Sequence, residues 1–494
     1  MNPQYDMVVI GGGSAGLTGS GIAASLGAKT AMIEAAKLGG DCTWYGCVPS
    51  KALIKAAKTA RTISTAGKYG LKDTTPKFNF ADVIRRIHTT REEIYEEADA
   101  PHHFENLGID VIHGRASFVD KNTVKLENGE YGGKTITSRF FLIATGGSPV
   151  VPSIEGLQDV PYLTNETIFD LKELPEHLIV VGAGPIGMEM AQSFRRFGSQ
   201  VTVIDFMDSI LIRDNNELTK ILQESLSCEG IKFVLNNGVK QVEKKNGSIS
   251  VTVAGKEEKN KATINGDAIL LSVGRKPNIN GLNLEAAGVE IKRSGIVVND
   301  RGRTSVKNIY ACGDVTGSFQ FTHMSEHTAK VAVSNALLKL PMKIDTKYVP
   351  WCTYTDPELA HAGATENELR QKGVSFEVYK FPYTKVDRAL IDLETTGWIK
   401  VYAKKWNGRI LGVDILGAHA GDMLGEWVLA LKNKITLRQM ADTIHPYPTY
   451  SLGNRRAADQ WYVRKQSVMM VKWIQRIFGY RGPLPDLSDP ERIV

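Results

Sequence analysis

Apolar and polar positions fall in blocks along this chain. Residues 6–10, DMVVI, form a short apolar run that ends in GGGSAG. A stretch of small residues continues to about Leu26, and a second apolar run, KTAMIE, ends at Glu34. Short apolar runs bounded by glycine read as buried strands, and the small-residue stretch between them as a helix. The same order returns over 177–205, HLIVVGAGPIGMEMAQSFRRFGSQVTVID, which ends at Asp205. Further apolar runs close in small-residue turns at 141–147 (FLIATGG), 270–278 (LLSVGRKPN) and 308–317 (NIYACGDVTG). From about Lys347 the texture changes to alternating strands such as WIKVYA and ILGVDILG, with helices expected around 421–433 and 435–443. Near the end, Val468, Val471, Ile474 and Phe478 recur close to helical spacing, with Lys472, Trp473 and Arg476 alongside. Such a basic amphipathic tail suits either a helix packed on its own dimer or a contact with a membrane surface or a partner.

The glycines give the two β-α-β units a chemistry. Gly11, Gly13 and Gly16 satisfy G-x-G-x-x-G, and Gly182, Gly184 and Gly187 repeat it. In this fingerprint one glycine permits a tight turn, one lets backbone approach a pyrophosphate, and one lets helix pack on strand. Glu34 and Asp205 each end the second strand of their unit, where an acid accepts from a ribose hydroxyl. One chain with two dinucleotide sites suggests electrons passing between two cofactors. A carboxylate at Asp205 repels a 2′-phosphate, so NAD(H) is favoured at the second site, although Arg195, Arg196 and Arg213 could still accommodate NADP(H). The fold class expected is α/β: two dinucleotide-binding (Rossmann-like) domains plus an α+β domain.

Composition narrows the class further. A chain of 494 residues with 42% hydrophobic and 23% charged residues is long enough for several cores and reads as soluble and globular. A net charge of +6 is small for this length and gives no reason to expect nucleic acid binding. No run of ~18 apolar residues is present, so no transmembrane helix is expected. Five cysteines, Cys42, Cys47, Cys228, Cys312 and Cys352, are too few and too scattered for a secreted disulfide framework, and the cytoplasm is the expected compartment. Two of them stand close together in GGDCTWYGCVPSK, residues 39–51. A staple, a metal half-site and a redox couple are all open for that pair. On a continuous helix, positions i and i+5 lie about 140° apart, so joining these sulfurs needs a distorted turn, which Gly46 eases. Pro49 suits a first helical turn, and a helix N-terminus with Lys51 nearby would stabilise a thiolate.

GGDCTWYGCVPSK closely resembles the redox-disulfide segment of the FAD-dependent pyridine nucleotide-disulfide oxidoreductases of class I, in their mercuric reductase-like and dihydrolipoamide dehydrogenase-like subgroup. The resemblance runs in order over about residues 5–451, through GGGSAG, GGDC-x4-CVPSK, ATGG, GAGPIGMEMA, GRKPN, YACGDV and YTDPELA. It implies a discontinuous FAD-binding domain over 1–155 and 278–346, an NAD(P)-binding domain over 156–277, a dimerisation domain over 347–460 and a separate tail over 461–494. It further implies that Gly11, Gly13, Gly16, Glu34, Gly40, Thr145, Gly146 and Asp314 hold FAD, and that Gly182, Gly184, Gly187 and Asp205 hold the nicotinamide cofactor. Gly274 and Arg275 would lie at the junction of the two domains. Lys51 would sit by the flavin and pair with Glu189. Cys47 would be the charge-transfer thiolate and Cys42 the interchange thiol. A homodimer with active sites shared between subunits follows from the same resemblance.

The sequence departs from the family at HPYPTYSL, residues 445–452. Disulfide reductases of the family carry a segment like H-P-T-x-S-E, whose histidine moves the interchange proton and whose glutamate orients it. Here Tyr447 takes the histidine's place and Leu452 the glutamate's, with His445 two residues earlier. The expected activity is transfer of electrons from NAD(P)H through FAD to the Cys42–Cys47 pair and on to a small-molecule or protein-bound disulfide, or the reverse from a dithiol. The alternatives are reduction of metal ions or quinones, and a redox-sensing flavoprotein without turnover. No resident metal is expected.

Overall fold

The computed structural model describes residues 3–245, 247–255 and 261–487; the end of the expected tail, 488–494, lies outside them. The described residues form two compact units, one comprising the chain up to Thr65 with Asp73–Phe206 and Ile231–Asp345, the other Ala66–Lys72, Met207–Gly230 and the chain from Thr346 onward.

In the first unit the strands Ile109–His113, Thr30–Glu34, Tyr5–Ile10, Thr135–Ile143 and Ile309–Ala311 lie side by side and pair in parallel. Met7 to Ile10 are all buried, as expected of a parallel sheet covered on both faces. The helix Ser14–Ser25 must pack closely on this sheet, which explains its small residues. A Cβ on Gly19 would fall 2.5 Å from the side chain of Leu142. The second β-α-β unit builds another parallel sheet, in the order Ile231–Val234, Gln200–Ile204, His177–Val181, Ala268–Leu271. An antiparallel ribbon of Asn237–Lys245, Ser248–Gly255 and Lys261–Gly266 is a feature the sequence pattern did not announce.

The second unit is α+β. Its five-stranded antiparallel sheet runs Trp351–Thr353, Glu358–Gly363, Ile410–Gly417, Trp398–Lys404, Phe376–Pro382. The helices expected at 421–433 and 435–443 are found at Ala420–Lys432 and Leu437–Ala441. The second begins at a capping box formed by Thr436 and Gln439. Trp427 is fully buried among the sheet residues, and its indole N–H donates to Asn454 at 2.7 Å.

Within that core lies a buried polar cluster. Asp414 accepts from His361 Nδ1 at 2.5 Å and from the hydroxyl of Tyr402, and His361 Nε2 lies 3.1 Å from the carbonyl of Gly363. Both ring nitrogens therefore face acceptors, which suits the imidazolium. Burial alone would lower the His361 pKa, but the Asp414 carboxylate outweighs it and holds it above the ordinary value. A raised histidine pKa contributes stability that is full below the unfolded value of about 6.5 and fades as pH rises through the folded one. Asp414→Ala should cost about 3–5 kcal/mol in urea unfolding at pH 6. The gap from the wild type should narrow at alkaline pH; a gap that widened would contradict the assigned charge.

Candidate active site

The redox segment is folded by an interruption. The helix Gly40–Trp44 stops, Tyr45 and Gly46 leave helical geometry, and a new helix runs Cys47–Ser64. Because of that break the two sulfurs are not on opposite sides of one helix. Both reach the hydroxyl of Thr322, at 3.3 Å from Cys42 Sγ and 3.4 Å from Cys47 Sγ. The cysteines are free thiols in this structure. Cys47 opens its helix, whose N-cap, Gly46, supplies no side-chain cap, so the thiol belongs to the residue at the positive end of the helix dipole.

These contacts divide the two thiols. Cys47 is lowered to about 6, first by the hydrogen bond from Cys42, which outweighs burial, and further by the Thr322 hydroxyl and the charge of Lys51. Cys42 is pushed far up by the same hydrogen bond, by burial and by the neighbouring thiolate. The pair therefore holds one proton, on Cys42. Lys51, one turn further along, donates to both oxygens of Glu189 at 3.1 and 2.9 Å, across to the helix Pro185–Phe197. Glu189 is almost wholly buried, so the ammonium is held in place.

Both glycine turns are built alike. The carboxylate of Glu34 accepts from Gly12 N at 2.6 Å, and that of Asp205 from Ala183 N at 2.5 Å. Each acid thus closes on the backbone N–H just after the first glycine of its turn. Close approach explains the glycines: a Cβ on Gly16 would meet the Gly11 carbonyl at 1.8 Å, and one on Gly187 the Gly182 carbonyl at 2.0 Å. Gly13 and Gly184 are helix N-caps without side-chain caps, leaving N–H groups for phosphate oxygens. Gly40 packs on Gly13, tying the redox segment to the first turn. Uncapped helix starts without side chains, each beside an acid, fit FAD and a nicotinamide dinucleotide.

Further parts converge here. Arg275 donates to the Gly147 carbonyl at 2.6 Å and reaches Asp41 at 3.3 Å and Asp314 at 3.5 Å. Burial raises the Asp314 carboxyl, and Arg275 opposes the shift. Thr145 Oγ1 donates to the Asn278 carbonyl at 2.7 Å, and Asn278 N returns a bond to Gly146 at 3.0 Å, just beyond the turn at Gly274. Thr322, Asp41 and Asn278 were not singled out in the sequence. Thr322 stands some 280 residues from Cys42, and no local motif marks it.

HPYPTYSL lies in the second unit. His445 Nε2 is 2.7 Å from Glu426 Oε1, and Nδ1 is 3.0 Å from the Thr443 carbonyl. Both nitrogens are occupied. Glu426 is in turn bonded through its other oxygen to Asn454 at 2.8 Å. Tyr447 is 69% exposed, and Leu452 is buried at the start of the helix Leu452–Lys465. The carboxylate beside a histidine is therefore Glu426, which sequence spacing gave no means of finding.

The pyridine nucleotide-disulphide oxidoreductase model matches residues 5–336, and the dimerisation domain of the same group matches 349–457. The chain belongs to the pyridine nucleotide-disulphide oxidoreductase family; it is an FAD-dependent NAD(P)H disulfide oxidoreductase with a homodimerisation domain. It is 36% identical to a mercuric reductase of Lysinibacillus sphaericus over 463 residues, covering 92% of this chain and 82% of that one. It is 33% identical to the dihydrolipoyl dehydrogenase of Bacillus subtilis, covering 91% and 96%. Among known structures it resembles the Cu(II) complex of the HOCl-induced flavoprotein disulfide reductase RclA from Escherichia coli, with a TM-score of 0.83, 28% identity and coverage of 93% and 99%.

Thr322→Val removes a hydrogen bond that lowers Cys47. Thiolate absorbance of the reduced protein should titrate near pH 6 in the wild type and higher in the variant. An unchanged midpoint would mean that Thr322 only fills space.

Proposed function

We propose that this chain uses NADH in preference to NADPH and passes two electrons to a disulfide substrate through Cys42 and Cys47. The observation that carries this reading is the sharing of the Thr322 hydroxyl by the two sulfurs, at a helix start where Cys47 is the stabilised thiolate. FAD, when bound, supplies the carrier that accepts hydride from the nicotinamide and delivers an electron pair to the Cys42–Cys47 bond. The chain's own groups do the rest. Reduction of that bond leaves Cys47 as thiolate and Cys42 protonated. As the Cys42 sulfur attacks one sulfur of the substrate, its proton passes to the departing sulfur, which leaves as a thiol, and a mixed disulfide forms. The Cys47 thiolate then attacks Cys42, the second substrate sulfur leaves as thiolate and takes a proton from water, and the protein disulfide is restored. Lys51, fixed by Glu189, keeps positive charge beside Cys47 throughout. Segments 1–155 and 278–346 are assigned to FAD and 156–277 to the nicotinamide cofactor. Asp205 supports NADH, because a 2′-phosphate would meet a carboxylate. The setting proposed is the cytoplasm, where thiols stay reduced, with a peripheral contact through the tail.

A second reading is favoured by one observation. His445 has both nitrogens engaged, while Tyr447 stands exposed where disulfide reductases of the family place their proton-carrying histidine. A phenol is a poor base at neutral pH but a good hydrogen-bond donor. That combination suits a soft metal ion held by two sulfurs, reduced by the same electron pair. The names of the mercuric reductase and of the Cu(II) complex are consistent with it.

Steady-state turnover with disulfides, Hg(II), Cu(II) and quinones separates these readings. With disulfides, Cys42→Ser and Cys47→Ser should each lose at least about a thousandfold, and Tyr447→Phe should change little. If Hg(II) or Cu(II) is the better substrate and Tyr447→Phe loses about tenfold on it alone, the metal reading holds instead. Comparison of the two nicotinamides should give NADH a kcat/KM at least about tenfold higher. A charge-transfer band on addition of one equivalent of dithiol should vanish in Cys47→Ser; no band in the wild type would refute the flavin-coupled pair.

A further inference from the structure

The helix Val468–Phe478 follows the dimerisation match, which ends at residue 457, and none of its residues is buried. Most of them are nevertheless apolar: the sequence is VMMVKWIQRIF. At about 100° per residue, Met469, Trp473, Ile477, Met470, Ile474 and Phe478 share one broad arc, with Val471 at its edge, and Lys472, Gln475 and Arg476 share the other with Val468. Met469 is 71% exposed, Trp473 60%, Ile477 65% and Phe478 64%. The helix is well formed, with Ser467 accepting from Met470 N at 3.1 Å, so the face is presented rather than frayed.

Charge decides what covers it. From Gln460 to Pro485 there is no acidic residue, while Arg464, Lys465, Lys472, Arg476 and Arg481 are all basic. A second copy of this segment would set like charges against each other. A nucleic acid would satisfy the cations but leave the apolar arc in water. A bilayer surface rich in anionic lipid answers both demands, since the arc sinks among acyl chains while lysine and arginine reach up to the headgroups. No helix of the described residues is long and apolar enough to cross a membrane, so contact would be at the surface only. We propose that Val468–Phe478 lies in the plane of an anionic membrane and holds the enzyme there. The proposal deepens the reading of the tail as a peripheral contact and does not depend on which acceptor the thiol pair reduces.

Co-sedimentation of the full-length FAD-loaded protein with vesicles tests it, using phosphatidylcholine alone and phosphatidylcholine with about a third phosphatidylglycerol. Binding to the anionic vesicles should be at least about tenfold tighter and should weaken on raising salt to about 0.5 M. Trp473→Glu with Ile477→Glu should abolish it, and Lys472→Gln with Arg476→Gln should weaken it, with NADH turnover and dimer mass unchanged in both. Absence of binding to anionic vesicles, or equal binding to both kinds, overturns the proposal. Loss of the dimer in the glutamate variant would also overturn it, by showing that the partner subunit covers the helix.

Discussion

Everything chemical in this protein depends on a helix that stops and starts again. Had Gly40–Ser64 been continuous, Cys42 and Cys47 would point apart, and no arrangement of the rest could join them. The break at Tyr45 and Gly46 turns both sulfurs toward Thr322 and leaves Cys47 at a fresh helix start. One distortion therefore supplies proximity and charge stabilisation together. It also explains why the two thiols differ so strongly although they are neighbours. The proton they share can be held by only one: the hydrogen bond between them lowers Cys47 and raises Cys42, and the Thr322 hydroxyl and the charge of Lys51 lower Cys47 further.

The two nucleotide turns show the same economy. In each, an acid at a strand end closes on the N–H that follows the first glycine, at Gly12 for Glu34 and at Ala183 for Asp205. The acid thus helps to fix the turn. Arg275 adds a link between regions far apart in sequence, joining Asp41 of the redox segment to Asp314 and to the backbone at Gly147. A dinucleotide fold, a redox loop and a strand-end acid are in this way held in one register.

What was legible in the sequence was what is local. Glycine spacing, apolar strands ending in acids, and a cysteine pair flanked by Gly46 and Pro49 all express their physics within about thirty residues. The Lys51–Glu189 pair joins residues 138 positions apart in sequence and became visible only through the family resemblance. Thr322 and Glu426 stayed hidden because their partners arrive through tertiary folding, from strands and helices with no shared motif. The antiparallel ribbon was not foreseen although its middle strand, SISVTVAG, alternates apolar and polar residues; only its first strand, NGVKQVEKK, is dominated by polar and charged side chains. The helix at 437–441 was expected longer than it is, since only its cap, and not its end, is written locally.

The bonds around Glu426 form a short mechanical train. Trp427 in the core holds Asn454, Asn454 holds one oxygen of Glu426, and the other oxygen holds His445. The loop that presents Tyr447 is thus braced from the hydrophobic interior, while the tyrosine itself bears no part of that load. A residue in such a position can be exchanged without loosening its support. Substitution of Tyr447 is therefore expected to leave both that bracing and the fold untouched.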